Sequence, residues 1–77
     1  MHKQPIEFKG HARRQLNRRF PGMTMDEAIH HFKTARLARE PRKDGDSGIA
    51  ECPIGERRIR FVFVLRQGTI FIITVED

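Results

Sequence analysis

The residues best suited to chemistry lie in one segment, GHARRQLNRRF, which runs from Gly10 to Phe20. At about 100° per residue, a helix here would have two opposite faces. The apolar stripe would contain Ala12, Leu16 and Phe20, and the polar side would contain His11, Arg14, Gln15 and Arg18. An imidazole titrates near neutral pH, and guanidinium groups bind phosphate oxygens in pairs. The polar side therefore carries groups that could hold a phosphodiester and transfer a proton beside it.

Cleavage of RNA through its 2′-hydroxyl needs a base, a proton donor for the leaving oxygen and cations around the phosphorane. His11 is the candidate for proton transfer, and the candidates for charge stabilisation are Arg14, Arg18, Arg58 and Arg60. Two simpler interpretations stay open. His11 could make only local hydrogen bonds at the helix start, and Arg58 and Arg60 could only protect an edge strand from aggregation.

No cofactor or metal ion is implied by the sequence. His30 and His31 are adjacent, so on a helix they diverge by about 100° and cannot chelate one metal as an i, i+4 pair does. Cys52 has no histidine at a meaningful spacing and is interpreted as a buried or idle thiol. As the single cysteine, it excludes an internal disulfide and a zinc site built from paired cysteines.

The chain length of 77 residues predicts a single domain, residues 1–77, with one modest core. We find no signal-peptide pattern, and the apolar runs are too short to cross a bilayer. The sequence thus predicts a cytoplasmic protein that does not act at a membrane, although a toxin domain cut from a longer exported chain would have the same pattern.

The net charge of +5 is unevenly distributed. Residues 1–43 hold eleven Lys or Arg against four acids, whereas residues 44–77 hold four against six. A basic half of this kind is typical of a nucleic-acid binder, although a solvated surface that only maintains solubility is the alternative. The candidate nucleic-acid-binding residues are Arg13, Arg14, Arg18, Arg19, Arg58 and Arg60.

Two helices are predicted in the first half of the chain. A lead-in strand or extended segment over residues 5–8 precedes the first helix, which ends at Phe20-Pro21-Gly22. Thr24 and Glu27 have the spacing of a capping box, so a second helix should begin there. Its apolar pattern extends to about Ala38 or Arg39.

The second half predicts strands after a polar loop over residues 40–48. Residues 49–54 form a strand that Pro53 assigns to a sheet edge. Residues 57–66 and 69–75 are β-branched and aromatic, and Gln67-Gly68 between them predicts a two-residue hairpin turn. The fold class is therefore α+β, with two N-terminal helices packed on a curved antiparallel sheet of three to four strands.

The hairpin register sorts the strand residues into two faces. The face predicted to pack on the helices carries Ile59, Phe61, Phe63, Leu65, Ile70, Ile72 and Thr74, and the other carries Arg58, Arg60, Val62, Val64, Phe71, Ile73 and Val75. The second face is still largely apolar. It indicates curvature into a half-barrel, a covering N-terminal segment or a partner surface, a homodimer included.

These motifs together resemble the small DUF4258 family. The matching pieces are Phe8 with residues 11–16, then Arg18-Arg19, residues 23–29 and finally Ile73-Thr74-Val75. The resemblance spans nearly the whole chain and implies membership in the barnase, EndoU, colicin and RelE-like fold group, many of whose members are metal-independent ribonuclease toxins.

The resemblance also implies roles for individual residues. His11 would be the general base or acid, Arg14 and Arg18 would bind phosphate, and Thr74 would make a polar contact in the same catalytic site. The expected partners are RNA or another nucleic acid and a protein such as an antitoxin or a host protein. The alternative from a different class is a noncatalytic phage or mobile-element accessory protein that docks on nucleic acid or on a host protein through its basic helix or its spare sheet face. In a third interpretation, the basic surface engages an acidic protein.

Overall fold

The computed structural model describes residues 4–77, which form two helices and five strands. Four of the strands are antiparallel to their neighbours in the order β5-β4-β3-β2, and β1 joins the edge of β5 in parallel. The fold is thus α+β, but the sheet is mixed and has more strands than predicted. The elements in chain order are β1 (Ile6–Phe8), α1 (Gly10–Arg19), α2 (Met25–Thr34), β2 (Arg36–Arg39), β3 (Ser47–Ile54), β4 (Arg57–Arg66) and β5 (Thr69–Glu76).

Helix α2 begins with the predicted capping box. Oγ1 of Thr24 accepts a hydrogen bond from the Glu27 amide at 3.1 Å, and the Thr24 amide donates to Oε1 of Glu27 at 2.8 Å. The bond from the Thr24 amide is the main reason that the pKa of Glu27 lies below its ordinary value. Two backbone donors that a helix start leaves without partners are satisfied in this way.

The second helix is shorter than its apolar pattern predicts. It ends at Thr34, and Ala35 has an extended backbone with ψ of 154°. The next four residues form β2, which pairs with β3 through Arg36 opposite Glu51 and Leu37 opposite Ala50. Pairing with a strand distant in sequence therefore overrides a helical spacing that would have continued to about Ala38 or Arg39.

Strand β3 is an interior strand rather than the predicted edge strand. It lies between β4 and β2, but β2 covers only Ile49 to Glu51. Pro53 lies beyond that stretch, so its missing N–H costs no hydrogen bond on the β2 side.

The turn between β4 and β5 is the predicted two-residue hairpin. Arg66 pairs with Thr69, and both turn residues have the positive φ that a type I′ turn requires, 50° at Gln67 and 79° at Gly68. Farther from the turn, a β-bulge at Ile73 shifts the register of β5.

The bulge overturns two predicted face assignments. Thr74 pairs with Val62 on the face away from the helices, and Val75 pairs with Phe61 and is fully buried. A one-residue insertion reverses the side on which each following residue lies. The predicted positions of Thr74 and Val75 are therefore exchanged.

The core lies between the helices and one face of the sheet, called the helix face below. The Phe61 ring meets the rings of Phe8 and Phe32 edge-on, with centroids 6.3 and 5.5 Å apart. Strand β1 extends the sheet beyond β5 and does not cover its other face, which is called the open face below. The fully buried residues of the helix face are Ala50, Ile59, Phe61, Phe63, Ile70, Ile72 and Val75.

Candidate nucleic-acid interface

Helix α1 is oriented by a buried polar residue. Gln15, predicted on the polar side, is only 8% exposed, and its Oε1 accepts a hydrogen bond from the Val75 amide at 2.9 Å. Strand β1 covers β5 only as far as Ile72, so no strand lies beside Val75 on that side. The Gln15 side chain takes the place of the missing strand and fixes the rotation of α1 against β5.

We expect Gln15→Met to lower the free energy of unfolding by about 1–3 kcal/mol, because it leaves the buried Val75 amide without an acceptor at nearly constant side-chain volume. Urea denaturation followed by circular dichroism measures the loss. The control is Asn17→Met on the exposed side of α1, which should change stability by less than about 0.5 kcal/mol. Equal effects of the two substitutions would contradict the proposed role of the hydrogen bond.

The exposed side of α1 carries the cations and the imidazole. His11, Arg14 and Arg18 lie within about 60° of one another around the helix axis, and Arg13 lies about 100° from Arg14 on the other flank. All four side chains are exposed. Within residues 4–77, none of them makes a side-chain hydrogen bond or an ion pair. Three guanidinium charges on this side thus have no acidic partner in the described structure.

Arg19 differs from the other α1 arginines, since it is half-buried and its Nη1 lies 2.9 Å from Oδ1 of Asp77. Arg57 donates to the backbone oxygen of Arg19 at 2.8 Å and also binds Asp77. Its guanidinium lies 4.3 Å from the ring centroid of Phe20. Arg19 therefore belongs to a cluster that joins the end of α1 to β4 and β5, and it shares the Asp77 carboxylate with Arg57.

This cluster predicts a pH dependence. The hydrogen bond from Arg57, with a smaller contribution from Arg19, lowers the pKa of the Asp77 carboxyl below its ordinary value. A lowered folded-state pKa gives stability that is present above the unfolded-state pKa and lost as the pH falls through the folded-state pKa. The wild type should therefore have a higher Tm than Asp77→Asn at pH 7. This difference in Tm should begin to shrink below the pKa of an ordinary carboxyl and should vanish once the pH is below the lowered pKa of Asp77. A difference in Tm that persists unchanged in strong acid would contradict the ion pair.

Arg58 and Arg60 lie on the open face, away from α1. Nη1 of Arg58 and Nε of Arg60 lie 3.2 and 3.6 Å from Oε2 of Glu51, and Arg36 binds the other oxygen at 3.4 Å. Their strand, β4, is in the middle of the sheet, so the alternative in which they protect an edge strand is wrong. One carboxylate thus balances part of the charge of three arginines.

The predicted catalytic residues do not lie together in one site. His11 and Arg14 are neighbours on α1, whereas Thr74 lies on the open face as a consequence of the bulge. The sheet separates Thr74 from the helix layer. Sequence reasoning could not detect this separation, because the two-residue alternation of the strand placed Thr74 toward the helices.

One contact between potentially reactive side chains was missed. Nδ1 of His31 lies 3.8 Å from Sγ of Cys52, and both residues are half-buried. Sequence spacing gave Cys52 no histidine partner, whereas the structure places His31 beside it. The interpretation of Cys52 as a buried or idle thiol stays a prediction. The contact joins α2 to β3 across 21 positions of sequence, and no local spacing signals it.

Comparisons with protein-family models, curated proteins and solved structures find no match to this chain. Across residues 4–77, no helix is both long and apolar enough to span a membrane. The same residues contain no group of three or more His, Cys, Asp or Glu that could hold a metal ion. The charges and contacts described above are therefore the basis for a functional assignment.

Proposed function

We propose that the protein is a small basic RNA-binding domain of the ribonuclease-toxin type, and that the RNA backbone binds along the exposed side of α1. The supporting observation is a contrast among the arginines that the sequence predicts to bind nucleic acid. Arg13, Arg14 and Arg18 have no acidic partner within residues 4–77, whereas Arg19, Arg58 and Arg60 are ion-paired. An unpaired guanidinium can bind phosphate without breaking an existing ion pair, and it releases counterions from the nucleic acid.

Salt dependence of binding tests the interface. With three neutralised phosphates, the logarithm of the affinity for a labelled single-stranded RNA should fall with the logarithm of salt concentration with a slope of about −2. The double variant Arg14→Ala/Arg18→Ala should bring this slope to about −0.7 and weaken binding by at least about tenfold at low salt. Fluorescence anisotropy across a salt series provides the measurement.

The matched control removes two exposed cations elsewhere. Lys33→Ala/Lys43→Ala lowers the net charge equally, and both residues are exposed outside α1. It should leave the slope close to the wild-type value. If Arg58→Ala/Arg60→Ala reduced the slope as much as the α1 double variant does, the proposed interface would be on the wrong face.

For cleavage, we assign proton transfer to His11. As the 2′-oxygen bonds to phosphorus and the bond to the 5′-oxygen breaks, a base takes the 2′-hydroxyl proton and an acid protonates the leaving oxygen. His11 provides one of these transfers and a water molecule provides the other, and Arg14 beside His11 stabilises the charge on the phosphorane. Total RNA incubated with the protein in chelator should be cut by the wild type and left intact by His11→Ala, with RNA affinity nearly unchanged.

The separation of Thr74 from His11 favours a second candidate function. Within residues 4–77, His11 has no hydrogen-bonded partner that could complete an acid and base pair. A noncatalytic accessory module that binds RNA or an acidic host protein through α1 uses the same surface without turnover. Salt-sensitive RNA binding with no cleavage by the wild type would select this candidate, and competition between RNA and an acidic protein would identify the preferred partner.

A further inference from the structure

The open face of the sheet carries an apolar strip. Val62 and Val64 of β4 point away from the helices, because their neighbours Phe61 and Phe63 are buried beneath the helices. Neither helix covers this face. All members of the strip are half-buried side chains of three adjacent strands, namely Ile49, Val62, Val64, Phe71 and Ile73.

Charged side chains border the apolar strip at both ends. At one end, Arg66 and Lys9 flank Phe71, and Nζ of Lys9 lies 4.7 Å from the Phe71 ring centroid. At the other end, Arg58 and Arg60 surround Glu51. The cations of the open face in the described residues are Lys9, Arg36, Arg39, Arg58, Arg60 and Arg66. The carboxylates on it are Glu7, Glu51 and Glu76, which leaves a net charge of +3.

We propose that the apolar strip is a docking site for an acidic amphipathic helix of a partner protein. Arg60 and Arg66 lie six residues apart on β4, or about 20 Å at the rise of a strand. A helix covers this distance with about 13 residues. The partner helix would place apolar side chains on Val62, Val64 and Phe71 and would carry acidic residues near both of its ends.

Charge and chemistry favour this occupant over three others. A second copy would bring two faces of net positive charge together, which is unfavourable. RNA-binding sheets stack several bases on exposed aromatic rings, whereas within residues 4–77 this face offers only Phe71, which Lys9 already covers. A membrane binds a protein through apolar surface that can insert, and the side chains of the strip are already half-buried, which leaves little surface to insert.

The test uses the full chain and synthetic peptides of about 14 residues. One peptide has leucines at helical spacing and glutamates elsewhere, and its control has lysines in place of the glutamates. The acidic peptide should bind at least about tenfold more tightly than the basic one by fluorescence anisotropy. The near-isosteric double variant Val62→Thr/Val64→Thr should weaken this binding about tenfold while RNA binding through α1 and the circular dichroism spectrum stay unchanged.

Four results would overturn the proposal. The first is equal affinity for the two peptides, or no binding of the acidic peptide at about 1 mM. The others are dimerisation, binding to anionic lipid vesicles or binding to RNA, where the Val62→Thr/Val64→Thr variant abolishes the interaction. Each of these results assigns the strip to a different occupant. RNA binding is assigned to α1, and peptide binding is assigned to the open face. If the Arg14→Ala/Arg18→Ala experiment contradicts the RNA-binding prediction, the peptide result is therefore unaffected.

Discussion

Phe61→Ala is expected to lower the free energy of unfolding by about 3–5 kcal/mol. Phe61 is fully buried at the centre of the sheet, and its ring contacts Phe8 before α1 and Phe32 on α2. A chain of this length has a total stability of about 4–12 kcal/mol, so the variant should lose about a quarter of its stability or more. Urea denaturation at 25 °C, followed by far-ultraviolet circular dichroism, measures the change.

The matched control is Phe71→Ala, which deletes the same atoms from the open face. Phe71 is half-buried and has no helix above it, so its loss should cost about 1 kcal/mol and leave the protein folded. Both variants delete the same atoms, so the difference between their losses of stability measures the effect of burial beneath the helices. Equal losses for the two variants would mean that the helices do not pack on the face that contains Phe61.

Features of this fold that depend on neighbouring residues could be predicted from sequence. The capping box at Thr24 and Glu27 positions the start of α2 because both hydrogen bonds span three residues. The Gln67-Gly68 turn sets the hairpin register because a two-residue turn with positive φ values permits one pairing of the flanking strands. In both cases the stabilising contacts form between residues close in sequence.

Features that depend on distant pairing could not be predicted. The sequence of β2 has helical spacing, and it becomes a strand because β3 offers hydrogen bonds and a place for Leu37 beside the core. The bulge at Ile73 follows from fitting β5 against β4 and α1 together, and Gln15 stabilises the result across 60 positions. No pattern within β5 alone marks where the alternation breaks.

The candidate site also combines features that local spacing predicts with features that depend on residues distant in sequence. Helical spacing predicted that His11, Arg14 and Arg18 lie on one side of α1, and these residues are exposed together. The charge that each arginine retains depends on partners elsewhere, such as Glu51 for Arg58 and Asp77 for Arg19. A count of cations therefore identified a basic protein but could not distinguish the unpaired arginines from the paired ones.

Gly48→Ala is expected to destabilise the protein by about 3 kcal/mol, at the upper end of the range for overpacking a core. Gly48 is buried opposite Phe63, and a Cβ added there would lie 2.3 Å from Cζ of that ring. The ring cannot easily move, because Phe63 is fully buried and packs edge-on against Phe32 at 5.1 Å. Glycine at this position lets the Phe63 ring lie flat on β3 and hold α2 against the sheet. Thermal and urea denaturation measure the loss.

Gly10→Ala is the matched control for Gly48→Ala. The added Cβ at Gly10 would meet only the end of the Arg14 side chain, at 3.4 Å, and alanine favours the first turn of a helix. Its stability should equal or slightly exceed that of the wild type. If Gly48 is needed because the ring of Phe63 lies against it, Phe63→Leu should relieve part of the destabilisation caused by Gly48→Ala. The double variant should then lose less free energy of unfolding than the sum of the two single losses. Strictly additive losses would show that a different contact makes glycine necessary at this position.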